Sequence, residues 1–162
     1  MKNISTALAF ALVLSATPVF AADTKAAIAT LDAMFAKIGV AKIDGTETAG
    51  TQTVPGLFFG TRKINNNYDV VDEFKKKTGA TATVFVKSGD EYIRVSTNVL
   101  TPEGKRGVGT PLARAKAYEA VSKGEQYCGA VDVLGTPFDA CYNPIKDASG
   151  KTIGLTYIGF KK

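Results

Sequence analysis

From residue 80 to its end the chain alternates strand-like apolar runs with very short turns, and that pattern restricts the fold more than any other feature. Runs at 80–87 and 91–98 flank Ser88-Gly89-Asp90, and runs at 126–133 and 138–145 flank Leu134-Gly135-Thr136-Pro137. A last run at 152–160 follows Asp147-Ala148-Ser149-Gly150. Turns of this length and composition reverse the chain, so the strands they join must pair antiparallel. One interruption is helical in pattern. Thr110 as a cap and Pro111 at the first helical position predict a helix past Tyr118 and Val121 that stops at Gly124. The expected fold class is α+β: one antiparallel sheet, helices before it and a crossover helix within it.

The first half supplies the helices. Asp23 or Thr24 can cap a helix to about residue 38, with Ile28, Leu31, Met34, Phe35 and Ile38 at helical spacing and Gly39 as its stop. Residues 40–53, rich in Thr and Gly with weak periodicity, are expected to be irregular, and 55–60 to form a short strand. Asn65-Asn66-Asn67 can cap a second helix whose inner side is Tyr68, Val70, Val71 and Phe74 and whose stop is Gly79. Lys75, Lys76 and Lys77 fall in its last turn, where cations suit the helix dipole, so they read as a solvated helix end.

Residues 1–21, MKNISTALAFALVLSATPVFA, have the layout of a secretory leader: Lys2, an apolar stretch and a small-residue cleavage site ending at Ala21. An uncleaved membrane anchor is the competing reading, and Pro18 with the cleavage site favours removal. The expected organisation is a cleaved signal peptide at 1–21 and a single domain at 22–162, located in the periplasm. The formal net charge of +5 comes from Lys and Arg scattered singly among acids. This pattern argues for weak attraction of small anions and against nucleic acid as a partner.

Two cysteines, Cys128 and Cys141, in an exported chain favour one disulfide over two free thiols. If they bond across neighbouring antiparallel strands they sit directly opposite each other. Tyr127 then faces Tyr142, Gly129 faces Ala140 and Val131 faces Phe138, all on the sheet face away from the sulfurs. That face could be an amphipathic concave surface edged with hydroxyls, or the two tyrosines could be core aromatics; the residues alone leave both open.

Catalytic constellations are easier to exclude than to find. The chain has no histidine, which removes Ser-His-Asp and Cys-His arrangements, histidine metal sites and histidine general bases. No P-loop, HExxH or CxxC occurs, Gly107-Val108-Gly109 is too short for a dinucleotide fingerprint, and Asp69 with Asp72 reads as a solvated pair. No cofactor and no metal is implied. Attention falls instead on 91–110. Strand alternation puts Arg94, Ser96 and Asn98 on one face, expected to be wet, and Ile93, Val95 and Thr97 on the other. Arg94 could grip a carboxylate, with Thr110 adding backbone N–H groups at a helix start, or it could pair with an acid on a surface strand; on the residues alone the second reading weighs more.

Motifs taken in order then point to a family. LFFG at 57–60, KINNN at 63–67, VD at 71–72, TGATATVF at 78–85, RVSTNV at 94–99 and Gly109-Thr110 are followed by Tyr127, Leu134-Gly135 and Tyr142. PIKD at 144–147, Gly150-Lys151 and Gly159 complete the series. Together they resemble the extracytoplasmic Cache domains of bacterial chemoreceptors and sensor kinases, in particular the single Cache 3/Cache 2 fusion type, over nearly all of residues 22–162. The resemblance implies a PAS-like antiparallel sheet, a long N-terminal helix packed on one face, and a pocket on the other for a small organic anion. It implies ligand binding without catalysis, hence no enzyme. Arg94, Ser96, Asn98, Tyr127, Tyr142, Pro144 and Lys146 are then the expected pocket residues, with Arg94 or Lys146 pairing a carboxylate, the tyrosine hydroxyls orienting it and Arg106 as a lid cation. Cys128 and Cys141 lie outside the family pattern and read as a stabilising disulfide.

Family members are usually one part of a transmembrane receptor, whereas here no signalling module is expected after the last strand. The expectation is a freestanding sensory domain in chemotaxis or signal transduction that hands its ligand state to a membrane-bound chemoreceptor or histidine kinase. A homodimer through the first helix is compatible with it. The alternatives are a structural or interaction protein with a vestigial pocket, and a solute-binding protein for uptake. A vestigial pocket predicts that the face around Tyr127 and Tyr142 is filled by side chains.

Overall fold

The computed structural model describes residues 23–162; the leader expected at 1–21 lies outside them. Helix α1 spans Thr24–Ala36, and Asp23 caps it by accepting a hydrogen bond from the Ala26 amide. A three-stranded antiparallel sheet follows, made of β1 (Ala41–Ala49), β2 (Gln52–Phe59) and β3 (Arg62–Lys63). Then come α2 (Asp69–Thr78), β4 (Thr81–Ser88), β5 (Glu91–Thr97), α3 (Lys116–Ser122), β6 (Tyr127–Val133), β7 (Thr136–Lys146) and β8 (Thr152–Lys161). The last five strands form one antiparallel sheet in the order β5-β4-β8-β7-β6. The fold is the α+β, PAS-like arrangement expected.

The sheet centre is buried on both sides, and side-chain alternation separates two cores. On one face Ala82, Val84, Val86, Cys141, Ile145 and Ile158 pack under α1, α2 and the small sheet. On the other, Phe85, Tyr92, Phe138, Tyr142, Leu155 and Tyr157 pack with Leu112 and with Ala117 and Val121 of α3. The N-terminal helix therefore covers one face, and a shorter helix and a loop partly cover the other.

Residues 40–53 are not irregular. They form β1 and the start of β2, joined through Gly50 at φ 59°. Their alternation was illegible because β1 buries only its two ends, Ala41 and Ala49, and its pairing shifts between Ile43 and Thr46. The asparagine run also does more than cap a helix. Only Asn67 serves α2, accepting from the Asp69 amide. Asn65 accepts from Leu57 N and donates to Pro55 O, and Asn66 donates to Thr48 O, so these two fasten the β1–β2 hairpin.

Cys128 and Cys141 are bonded, and the register matches the expectation: Tyr127 opposes Tyr142, Gly129 opposes Ala140, and Val131 opposes Phe138. The bridge closes a short loop and faces the α1 core. Replacing both cysteines with serine is expected to lower the unfolding free energy by about 2–3 kcal/mol without loss of the fold, measured by urea denaturation.

Candidate functional site

Strand β5 is where strict alternation fails. Val84 pairs with Ser96 but Phe85 pairs with Arg94, so Val95 is an extra residue, a β-bulge. The bulge turns Ser96 to the same side as Val95. The face shared by Arg94, Ser96 and Asn98 therefore does not exist, and neither does a wet face: residues 92–99 are all buried. Ser96 donates to Asn67 O, and Asn98 bridges Ala82 N and Val71 O, both toward α2. Thr97, expected opposite Arg94, lies on its side instead, against Thr83.

Arg94 is 3% exposed. Its Nη1 donates to Thr110 Oγ1 at 2.8 Å and to Pro111 O at 3.0 Å, and the guanidinium lies 4.7 Å from the centre of the Phe85 ring. Its buried Nε has no partner. Arg94 takes part in none of the ion pairs among the described residues. Burial lowers its affinity for the proton, yet a guanidinium has so high a pKa that it stays charged.

Thr110 reaches Arg94 for a reason different from the one expected. Thr110 and Pro111 do not start a helix; α3 begins at Lys116, with Ala115 as its cap. Residues 107–112 instead run along the outer edge of β5. Gly109 N donates to Arg94 O, Arg94 N to Thr110 O and Leu112 N to Tyr92 O. Proline is tolerated there because an edge position does not need its missing N–H. Gly109, at φ 84°, lies so close to the β1–β2 turn that a Cβ would stand 2.6 Å from Ala49 O, and Gln52 Nε2 donates to Gly109 O. The strap that holds Thr110 is thus clamped by the hairpin tip.

Between this strap, α3 and the β6–β7 hairpin lies a cavity of about 560 Å³. Arg94, Tyr127 and Tyr142 line it with Leu112, Val131 and Leu134; Lys116 and Asp132, both exposed, are its other charged groups. Both tyrosines border the cavity, with their ring centres 6.4 Å apart. Burial pushes the Tyr142 hydroxyl far above the ordinary tyrosine range, and that of Tyr157, whose ring centre is 5.0 Å away, up to about 12. Both remain neutral hydrogen-bond donors at neutral pH.

Arg94, Tyr127 and Tyr142 are therefore brought together; the other expected site residues are not. Pro144 and Lys146 line a separate cavity beside α1. Arg106 lies over the Tyr68 ring and donates to both Asp72 oxygens and to Thr97 O. It pins the loop after β5 to α2 and does not cover the Arg94 cavity. Residues the sequence reading passed over include Leu112 and Leu134 in the wall and Phe85 and Tyr157 behind Arg94. Tyr157 is not legible from the β7–β8 turn: the Lys146–Thr152 pair beside the turn would put Thr156 opposite Tyr142, and the bulge between Ile145 and Lys146 moves the register by one, to Tyr157.

A two-faced antiparallel sheet with an N-terminal helix on one side and a cationic cavity on the other defines a class, the extracytoplasmic small-molecule sensing domains. The chain belongs to the Cache family of such domains: the model for the Cache 3/Cache 2 fusion domain matches residues 9–162. Cache domains are sensory, ligand-binding and generally non-catalytic. No curated protein matches the chain. Among the described residues no helix is long and apolar enough to cross a membrane, and no three His, Cys, Asp or Glu side chains are grouped so as to hold a metal ion.

The Asp72–Arg106 pair makes a pH-dependent contribution. Its hydrogen bonds to Arg106 lower the Asp72 pKa below 3.8, so the stability gained is present above that pH and is lost as pH falls through the lowered value. Arg106→Gln is expected to cost about 1 kcal/mol at pH 7, the pair being partly exposed, and in urea denaturation series the difference from the parent should narrow as pH falls through the lowered Asp72 value, leaving at acid pH the loss of the Thr97 O bond and the Tyr68 contact.

Proposed function

We propose that this chain is a non-catalytic binding domain for a small organic anion, probed by a membrane-bound chemoreceptor or histidine kinase. A buried guanidinium with no carboxylate carries the reading. An unpaired buried charge costs several kcal/mol, and proteins retain such groups where a ligand completes the pair. Both hydrogens of Nη1 are used on Thr110 and Pro111. Nε is buried without a partner, and Nη2, which makes no hydrogen bond among the described residues, is the donor left for a carboxylate. A volume of about 560 Å³ falls within the range of small-molecule pockets, and the apolar walls suit a ligand with a hydrocarbon portion. Tyr127 and Tyr142 supply hydroxyls for orientation. The leader-like residues 1–21 support export with cleavage after Ala21.

Thermal melting with acetate, propionate, butyrate, succinate and benzoate tests the proposal in protein stripped by unfolding and refolding. At ligand 100 times its Kd the gain is about 2.7 kcal/mol. Arg94→Leu is expected to abolish the response while leaving the ligand-free melting temperature unchanged or raised, because it removes a charge that the empty protein does not neutralise. An acid response retained in full by Arg94→Leu, or its absence from the parent with every acid, counts against this function.

A further inference from the structure

We propose a second small-molecule site, for an organic ammonium ion with an apolar body, between the carboxyl end of α1 and the sheet face opposite Arg94, with Asp32 as its anchor. It does not rest on the Arg94 reading, since the two sites share no residue. Asp32 is half-buried on α1. Its Oδ1 accepts from Thr156 Oγ1 at 2.6 Å and its Oδ2 from Asn143 Nδ2 at 2.7 Å, which orients both oxygens. Neither donor carries charge, and Asp32 takes part in none of the ion pairs among the described residues. Burial pushes its carboxyl above the ordinary range, against the pull of the two hydrogen bonds, so the anion is incompletely compensated.

The surroundings favour a cation twice over. The cavity, about 400 Å³, lies at the carboxyl end of α1 beside Ala36, Gly39 and Val40, and α1 carries no basic residue in its last turn. The negative end of the helix dipole therefore adds to the carboxylate. The nearby cations are Lys37, which follows the helix, and Lys146 in the cavity wall; both are exposed and screened by solvent. Phe35 and Phe59, stacked at 4.8 Å between ring centres, give apolar walls with Ile145. An ammonium group meets Asp32 while its hydrocarbon portion rests on these side chains.

Isothermal titration of the full chain with phenethylamine tests the proposal, alongside 2-phenylethanol and 3-phenylpropanoate as neutral and anionic counterparts. Saturable amine binding is expected, with both counterparts weaker by about tenfold or more. Asp32→Asn should weaken the amine by a similar factor, and Arg94→Leu should leave it unchanged. Ala36→Leu fills the cavity from an exposed helix position without touching the bonds of Asp32, so it should also block binding and decides the matter if Asp32→Asn folds poorly. The proposal is overturned if the alcohol binds as tightly as the amine, if folded Asp32→Asn and Ala36→Leu both bind normally, if Arg94→Leu alone abolishes binding, or if no binding occurs up to about 10 mM amine.

Discussion

Burial of β4 and β8 on both faces is the constraint on which the remaining structure depends. Residues 82–86 and 153–159 are covered throughout, so neither face can be left to water and each needs its own apolar cover. The chain before β4 provides the first, from α1, α2 and the small sheet; the second comes from α3 and the strap at 107–112. The second cover is thinner. Where it falls short lies the cavity beside Arg94, a site formed by incomplete coverage of a sheet whose centre is buried on both faces.

Legibility of the fold from sequence followed the strength of local rules. Short turns fix antiparallel pairing, and one cysteine pair sets the register of β6 on β7 residue by residue, which places Tyr127 against Tyr142. Gly79 marks the end of α2 as its left-handed C-cap, whereas α1 ends at Ala36 with Lys37 as its cap, short of Gly39, where a Cβ would stand 2.6 Å from Gly60 Cα. Rules of period 2 failed where the backbone breaks the period. One extra residue at Val95 sent Ser96 and Asn98 to the helix side, and no residue type in RVSTNV announces a bulge. Thr110-Pro111 misled for a related reason: the cap-and-proline signature is local, whereas its partner, the free edge of β5, is distant in sequence. Asn65 and Asn66 show the same conflict, since their side chains found better partners in the β1–β2 hairpin than in a helix end.

The two candidate sites use opposite chemistries on opposite sides of one sheet. Arg94 is a cation among aromatic rings, anchored by a threonine and a carbonyl; Asp32 is an anion anchored by a threonine and an amide. β7 contributes to both: its neighbours Tyr142 and Asn143 point to opposite faces, one lining the Arg94 cavity and the other bonded to Asp32. A shift of that strand would be felt on both faces. The strap carrying Thr110 is clamped to the β1–β2 hairpin by Gly109 and Gln52, which gives the Arg94 side a second mechanical link to the layer beyond the sheet.

Strand order has a consequence for how the molecule is made. β8 is last in the chain yet lies between β4 and β7, and its pairing with β4 joins Thr81 to Gly159 across 78 residues. Until β8 arrives, β4 and the β6–β7 hairpin have no shared neighbour, so the sheet cannot close on a nascent segment. Such long-range pairing slows folding and leaves strand edges open to wrong partners in the meantime.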